Sequence, residues 1–157
     1  MIDSLKPDGK AIKTRATFQL TYAVGISIQA PASKLWTILT DASGFPGWNS
    51  TIKSIKGRIA QGEKIELVAT IAPERIFKLR VSEFIPQEKM VWRDGAAPMF
   101  QGIRTYMLKS QNQTMTEFFM EERFSGLMLP MIAKALPDFS ASFETYAADL
   151  KRVAELP

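Results

Sequence analysis

The last thirty or so residues constrain this chain most. From Phe124 to Glu155 it reads FSGLMLPMIAKALPDFSASFETYAADLKRVAE, and after Pro137 the large apolar residues Phe139, Phe143, Tyr146, Leu150 and Val153 recur four, three, four and three positions apart. That spacing keeps them on one side of an α-helix, so residues 138–154 are predicted as one amphipathic helix with Glu144, Asp149, Lys151 and Arg152 off the stripe. Residues 127–136 are apolar on almost every side and are expected to be covered all round or to face a cavity. Pro130 suits a first helical turn, and Pro137 a kink or a restart. A helix with a continuous apolar stripe needs a concave partner, and the preceding hundred residues are patterned to supply one.

Between Ala16 and Gln29 the even positions Phe18, Leu20, Tyr22, Val24, Ile26 and Ile28 are apolar, which predicts a long strand with one buried face. Ala-Pro-Ala-Ser at 30–33 ends it. A short helix over 34–40 follows, then a Gly/Pro-rich turn over 41–49 that keeps the aromatics Phe45 and Trp48. Strands are predicted at 51–58, 64–71, 75–84, 89–94, 102–109 and 114–124, with turn residues between them, as an antiparallel meander. On the last of these, Phe118, Met120, Glu122 and Phe124 share one side, opposite Glu117, Glu121 and Arg123. The first set faces inward, which leaves Glu122 as a carboxylate on an apolar face. Counting back across Ser110–Gln113 in antiparallel register sets Arg104 opposite Met120 and diagonal to Glu122, with Tyr106 and Leu108 on the same inward side. Residues 1–15 carry a Pro-Asp-Gly turn and no periodicity, so they read as a flexible arm or an edge extension ahead of a single domain over 16–157.

Composition narrows the chemistry. The chain has 157 residues, 46% hydrophobic and 23% charged, with no His and no Cys. One domain of that size buries enough surface to need no disulfide or metal staple. Without imidazole or thiol there can be no Ser-His-Asp triad, thiol nucleophile or His/Cys metal centre. No metal site and no cofactor are therefore expected. The net charge of +4 comes from Lys and Arg scattered along the sequence, which argues against a nucleic-acid partner. The first twenty residues have no apolar core, and no window reaches about 18 uncharged apolar residues. A cytoplasmic protein without stable membrane insertion, monomeric or homodimeric, is the expectation.

The segments APASKLWTILTDASGFPGWN, GEKIEL, KMVWRDG and ERFSGLMLP, in this order, resemble the polyketide cyclase/dehydrase-like branch of the START and birch-pollen-allergen (SRPBCC) superfamily over residues 26–153. The resemblance implies an α+β helix-grip fold: a curved seven-stranded antiparallel sheet around the long C-terminal helix, two short helices between strands 1 and 2, and an enclosed cavity for hydrophobic small molecules. The chain departs from the family at Arg104 and Met120, where many relatives carry His.

Candidate wall residues for such a cavity are Trp48, Asn49, Trp92, Met99, Phe100, Arg104, Tyr106, Phe118, Met120, Glu122, Phe124, Met128, Met131, Phe139 and Phe143. Trp48 reads more readily as a hydrophobic plug closing the open end of the sheet, with Asn49 bonding its turn, while the large apolar side chains serve equally as cavity wall or core filler. Glu122 and Arg104 form either a buried structural ion pair or a polar anchor for a ligand, with Tyr106 as a possible hydroxyl donor. The leading functional expectation is binding of a small hydrophobic or aromatic, lipid- or polyketide-like molecule. The alternatives are a cyclase or dehydratase, with Glu122, Arg104 and Tyr106 as catalytic candidates, and a protein-interaction module of the chaperone-activator type.

Overall fold

In the computed structural model, which describes residues 2–157, one antiparallel sheet of eight strands carries the chain. The strands are β1 (Ile12–Ala16), β2 (Gln19–Ile28), β3 (Ile52–Lys56), β4 (Lys64–Ala69), β5 (Phe77–Ile85), β6 (Lys89–Ala96), β7 (Phe100–Ser110) and β8 (Thr116–Ser125). Their spatial order is β1-β2-β8-β7-β6-β5-β4-β3, so β3 to β8 form the expected meander and β2 closes back against β8. Helices α1 (Ala32–Thr40) and α2 (Phe45–Trp48) connect β2 to β3. Helix α3 (Leu129–Ile132) and the long α4 (Ser140–Ala154) follow β8.

The sheet has one strand more than the seven the resemblance implies. The extra strand is β1, from the stretch read as an arm or edge extension, and it pairs with β2 from Ile12↔Ala23 to Ala16↔Gln19. Thr17 and Phe18 make the turn between them, so Phe18, which alternation places on the buried face, is 51% exposed. The alternation simply runs one step past the strand. Ahead of β1, Leu5 packs with Ala23 and Phe119 on the convex side of the sheet, and the Gly9 N–H donates to the Gly25 carbonyl at 2.7 Å. This cover explains why β2 is buried on both faces. A Cβ at Gly25 would come within 2.7 Å of the Phe119 ring and 3.1 Å of the Lys6 carbonyl oxygen, so the close approach depends on glycine there.

The core lies on the concave side, under α4. Phe143, Tyr146, Ala147, Leu150 and Ala154 are its buried face. Tyr146 stacks on Phe118 with centroids 6.1 Å apart, and Phe139 meets Tyr22 edge-on at 5.5 Å. Burying each large side chain of this kind is worth about 1.5–3 kcal/mol. The helix begins at Ser140, two residues later than the stripe predicts, because the Asp138 carboxylate accepts from the Ser140 N–H at 2.9 Å and closes the first turn from outside. Its C-terminal half is fastened to several elements. Asp149 Oδ2 accepts from both the backbone N–H and the hydroxyl of Ser50 at 2.8 Å, Arg152 donates to the Trp48 carbonyl at 3.0 Å, and Lys151 donates to the Ser27 carbonyl at 2.9 Å. The N-terminal half is fastened near β1, where Glu144 Oε2 accepts from the Ala11 N–H at 2.8 Å and Lys13 meets Asp138 at 3.1 Å.

Residues 127–136 differ from expectation. Only Leu129 is buried, while Leu127 and Met131 are 58% and 71% exposed. Backbone hydrogen bonds from Leu127 N–H to Pro98 O at 3.0 Å and from Met128 N–H to Met99 O at 2.9 Å tie its start to the loop between β6 and β7, and only the single turn α3 is α-helical, so its apolar residues share no long helix face.

Candidate functional site

The inward row at the middle of the sheet runs Trp92, Arg104, Glu122, Tyr22 across β6, β7, β8 and β2. Arg104 therefore stands directly opposite Glu122, and Tyr106 opposite Met120. The sequence register is corrected by two residues, because Thr114 and Met115 belong to the hairpin loop and not to the strand. Asn112 Oδ1 accepts from the Thr114 N–H and hydroxyl, both at 2.9 Å, and the Gln111 N–H donates to the Met115 carbonyl at 2.9 Å.

Arg104 Nε lies 3.4 Å from Glu122 Oε1, with the two side chains 16% and 15% exposed. The guanidinium also sits 5.2 Å over the Phe143 ring, a cation–π contact between sheet and helix. Among the described residues this is its one ion pair, and Arg104 itself lines the cavity. Burial raises the Glu122 carboxyl above the ordinary carboxylate range; Arg104 opposes this in part, and the nearby Asp94 charge adds to it. Burial disfavours the Arg104 cation as well, but Glu122, Tyr106 and Tyr146 together outweigh it and hold the guanidinium charged. Deeper in, the Tyr106 and Tyr146 rings are 6.1 Å apart and both hydroxyls are pushed up by burial. The two hydroxyls influence each other's ionisation, yet neither meets a partner in hydrogen-bond geometry among the described residues.

Arg104, Glu122 and Tyr146 border a cavity of about 60 Å³ between α4 and the sheet. Leu67, Ala69, Phe77 and Leu79 of β4 and β5 form one wall, Met120 and Phe124 of β8 another, and Leu136, Phe139, Phe143 and Tyr146 the roof. Gly102 lies opposite both Asp94 and Phe124, so the row next to the ion pair lacks a side chain at its centre and the cavity extends there.

Of the candidates named from sequence, Phe100, Arg104, Met120, Glu122, Phe124, Phe139 and Phe143 line this cavity. Trp92, Tyr106 and Phe118 are buried behind it, with Trp92 and Tyr106 in ring contact at 4.9 Å. Trp48 packs on Phe45 and Tyr146 at 5.0 and 5.7 Å, and Asn49 accepts from the Thr51 N–H and hydroxyl at 2.9 and 2.7 Å. These two make the plug and its turn. Met99 and Met131 are 50% and 71% exposed, and Met128 sits in the turn before α3. Arg75, Asp94, Gly102 and Tyr146 join the lining without having been assigned to it. Tyr146 was already marked by helical spacing, as part of the stripe and not as a cavity wall.

At this end of the sheet the loops also carry exposed apolar side chains, Phe18, Ile71, Ile76, Met99, Leu127 and Met131. They come from four separate turns, which is why no such group stands out in the sequence. No helix among the described residues is long and apolar enough to cross a membrane.

No family model and no curated protein sequence matches the chain. Solved structures do match its fold. A START superfamily protein from Mycobacterium smegmatis superposes with a TM-score of 0.64 at 16% identity, covering 86% of this chain and 97% of that one. The ZhuI aromatase/cyclase from Streptomyces sp. R1128 gives a TM-score of 0.68 at 16% identity, covering 87% and 94%. The hypothetical protein jhp0584 from Helicobacter pylori gives 0.69 at 13% identity, covering 99% and 98%. The chain thus has a START-like fold, α+β with a curved open antiparallel sheet and a C-terminal helix. At these identities the likeness is one of fold.

Proposed function

We propose that the protein binds a small, mainly hydrophobic molecule between α4 and the concave face, with a carbonyl or acid group of that molecule seated on Arg104. The observation that carries this reading is the Arg104–Glu122 pair, Nε and Oε1 3.4 Å apart, at the wall of an otherwise largely apolar cavity. Apolar walls supply affinity, and the buried charged donor Arg104 fixes orientation, the other arginine of the lining, Arg75, being exposed. The cavity of about 60 Å³ has room for a handful of water molecules, whereas drug-sized ligands occupy roughly 300–1,000 Å³. Loading therefore requires the roof around Leu136 and Phe139 to part from the sheet.

The test is a titration with an environment-sensitive naphthalene dye, in neutral and carboxylate forms, on wild type and Arg104→Met. Saturable one-to-one binding that weakens about tenfold for the carboxylate form alone in the variant supports the assignment, since a lost charge-assisted hydrogen bond is worth about 1.5–3 kcal/mol. Absence of saturable binding by either dye would overturn it.

A cyclase or dehydratase reading is favoured by one further feature, the raised proton affinity of Glu122 beside a fixed cation. In that chemistry Glu122 takes a proton from the carbon next to a substrate carbonyl and Arg104 holds the enolate oxygen. Glu122→Gln would abolish turnover of a polyketone substrate while leaving its binding in place.

A further inference from the structure

The fold gathers charges that look dispersed in the sequence. On the convex face, register sets Lys64 of β4 opposite Arg80 of β5, and Arg80 opposite Arg93 of β6; all three are exposed. The neighbouring row is Lys56, Glu66, Lys78, with the exposed Lys53 further along β3. Among the described residues Lys53, Lys56, Lys64, Lys78 and Arg80 form no ion pair, and Arg93 makes one hydrogen bond, from Nε to Ser82 Oγ at 3.0 Å. Like charges directly opposite on neighbouring strands destabilise the sheet. Elsewhere the sheet avoids this, setting Lys109 opposite Glu117 and Arg104 opposite Glu122. Arg93 holds Ser82 across the strands, but among the described residues no ion pair neutralises any of the three cations in this row.

We infer that the convex face of β4 to β6 is a docking surface for an acidic protein, with Lys64, Arg80 and Arg93 receiving its carboxylates. Charge complementarity alone would admit other polyanions, but the remaining residues select against them. Outward positions on these strands carry no aromatic side chain on which bases of a single strand could stack, and the α-helices pack on the opposite face, leaving on the convex side, among the described residues, only the single 3-10 turn Ile2–Ser4, too short to enter a duplex groove. Glu66, set between Lys56 and Lys78, would meet repulsion anywhere on a uniformly negative phosphate surface, whether nucleic acid or bilayer. A protein surface is mixed in sign and can answer Glu66 with a cation of its own. The face lies opposite the cavity, so the inference stands independently of any ligand bound there.

The test uses the full chain and a labelled helical peptide rich in Glu with a single Lys, followed by anisotropy at low salt. Single- and double-stranded oligonucleotides and phosphatidylglycerol vesicles are measured alongside. The variant Lys64→Gln/Arg80→Gln/Arg93→Gln is compared with Lys10→Gln/Arg15→Gln/Lys134→Gln, which removes the same charge elsewhere. The peptide is expected to bind about tenfold more weakly to the first variant and within about twofold of wild type to the second, as for charges at a specific contact. The first variant should also melt no lower than wild type, because cross-strand repulsion is relieved. Equal weakening in both variants, tighter binding of oligonucleotide or vesicle than of peptide, or a clear drop in melting temperature would each overturn the assignment.

Discussion

Replacing Arg104 by Met, Glu122 by Gln, and then both, measures how strongly the two side chains are coupled. At 3.4 Å, an effective dielectric constant of about 20 gives a gross attraction of about 5 kcal/mol. Most of that is offset by desolvating two groups that are 16% and 15% exposed. Removing one partner should therefore cost on the order of 3 kcal/mol, the low end for buried pairs because water reaches the cavity, and removing both should cost much less. The two single variants should also differ in pH dependence. In Arg104→Met the stranded carboxyl can take a proton, and its affinity is already raised by burial. A carboxyl whose folded pKa exceeds its unfolded value near 4.5 stabilises the fold below that value, and the stabilisation is lost as pH rises through the folded pKa. The deficit of Arg104→Met should thus be small in mild acid and grow towards pH 8. In Glu122→Gln the guanidinium stays charged and the titrating carboxyl is gone, so the stability that the wild type loses as pH rises through the raised folded pKa of Glu122 is absent from the variant, and its deficit should narrow towards pH 8, the opposite trend. Urea denaturation at several pH values, followed by tryptophan fluorescence, reads both effects. If the single losses add to the double loss within about 0.5 kcal/mol, or if the Arg104→Met deficit does not move with pH, the coupling argument fails.

Gly25→Ala should cost about 1–3 kcal/mol by driving a methyl group against Phe119, measured by thermal melting; an unchanged melting temperature would show that the N-terminal cover yields freely. Leu150→Ala, at a fully buried position of α4, should cost about 2–5 kcal/mol in urea denaturation, and a loss below about 1 kcal/mol would mean the helix is not seated as described. The Asp138 carboxyl is held down to about 2 by hydrogen bonds from Ser140 and then by Lys13, so its contribution is present above its ordinary value of 3.8 and lost as pH falls towards 2. A carboxyl-detected NMR titration that finds Asp138 near 3.8 would remove that cap.

Alternation carried the sequence reading far because each strand has one face against α4. It put Arg104, Tyr106, Met120 and Glu122 on the concave side, where they are. What it could not supply was register, since a hairpin's loop length is set by local hydrogen bonds such as those of Asn112, and these leave no periodic trace. Nor could it supply β1. Every residue of that strand is exposed, so nothing apolar marks it, and its position is set by backbone pairing with β2. The cavity was legible only in part: Gly102 shapes it by having no side chain, and Arg75 and Asp94 enter it from loop-proximal positions whose direction depends on sheet curvature.

The unequal fastening of α4 has mechanical consequences. Its last turns are anchored to β2, to the carbonyl of Trp48 and to Ser50, while its first turns lean on Ala11 and Lys13, at the outermost strand. The helix is a beam clamped at one end and resting on a removable support at the other. Fraying of β1 from β2 would withdraw that support, freeing Glu144 and Asp138 together and leaving the end that bears Phe139 and Phe143 held by ring contacts to Tyr22 and Phe124. The two ends of the helix would then differ in kind, one tied by polar bonds to three separate elements, the other kept in place by ring packing once five solvent-facing edge residues let go, and amide exchange in mild denaturant should open the β1 pairing well before the clamped end.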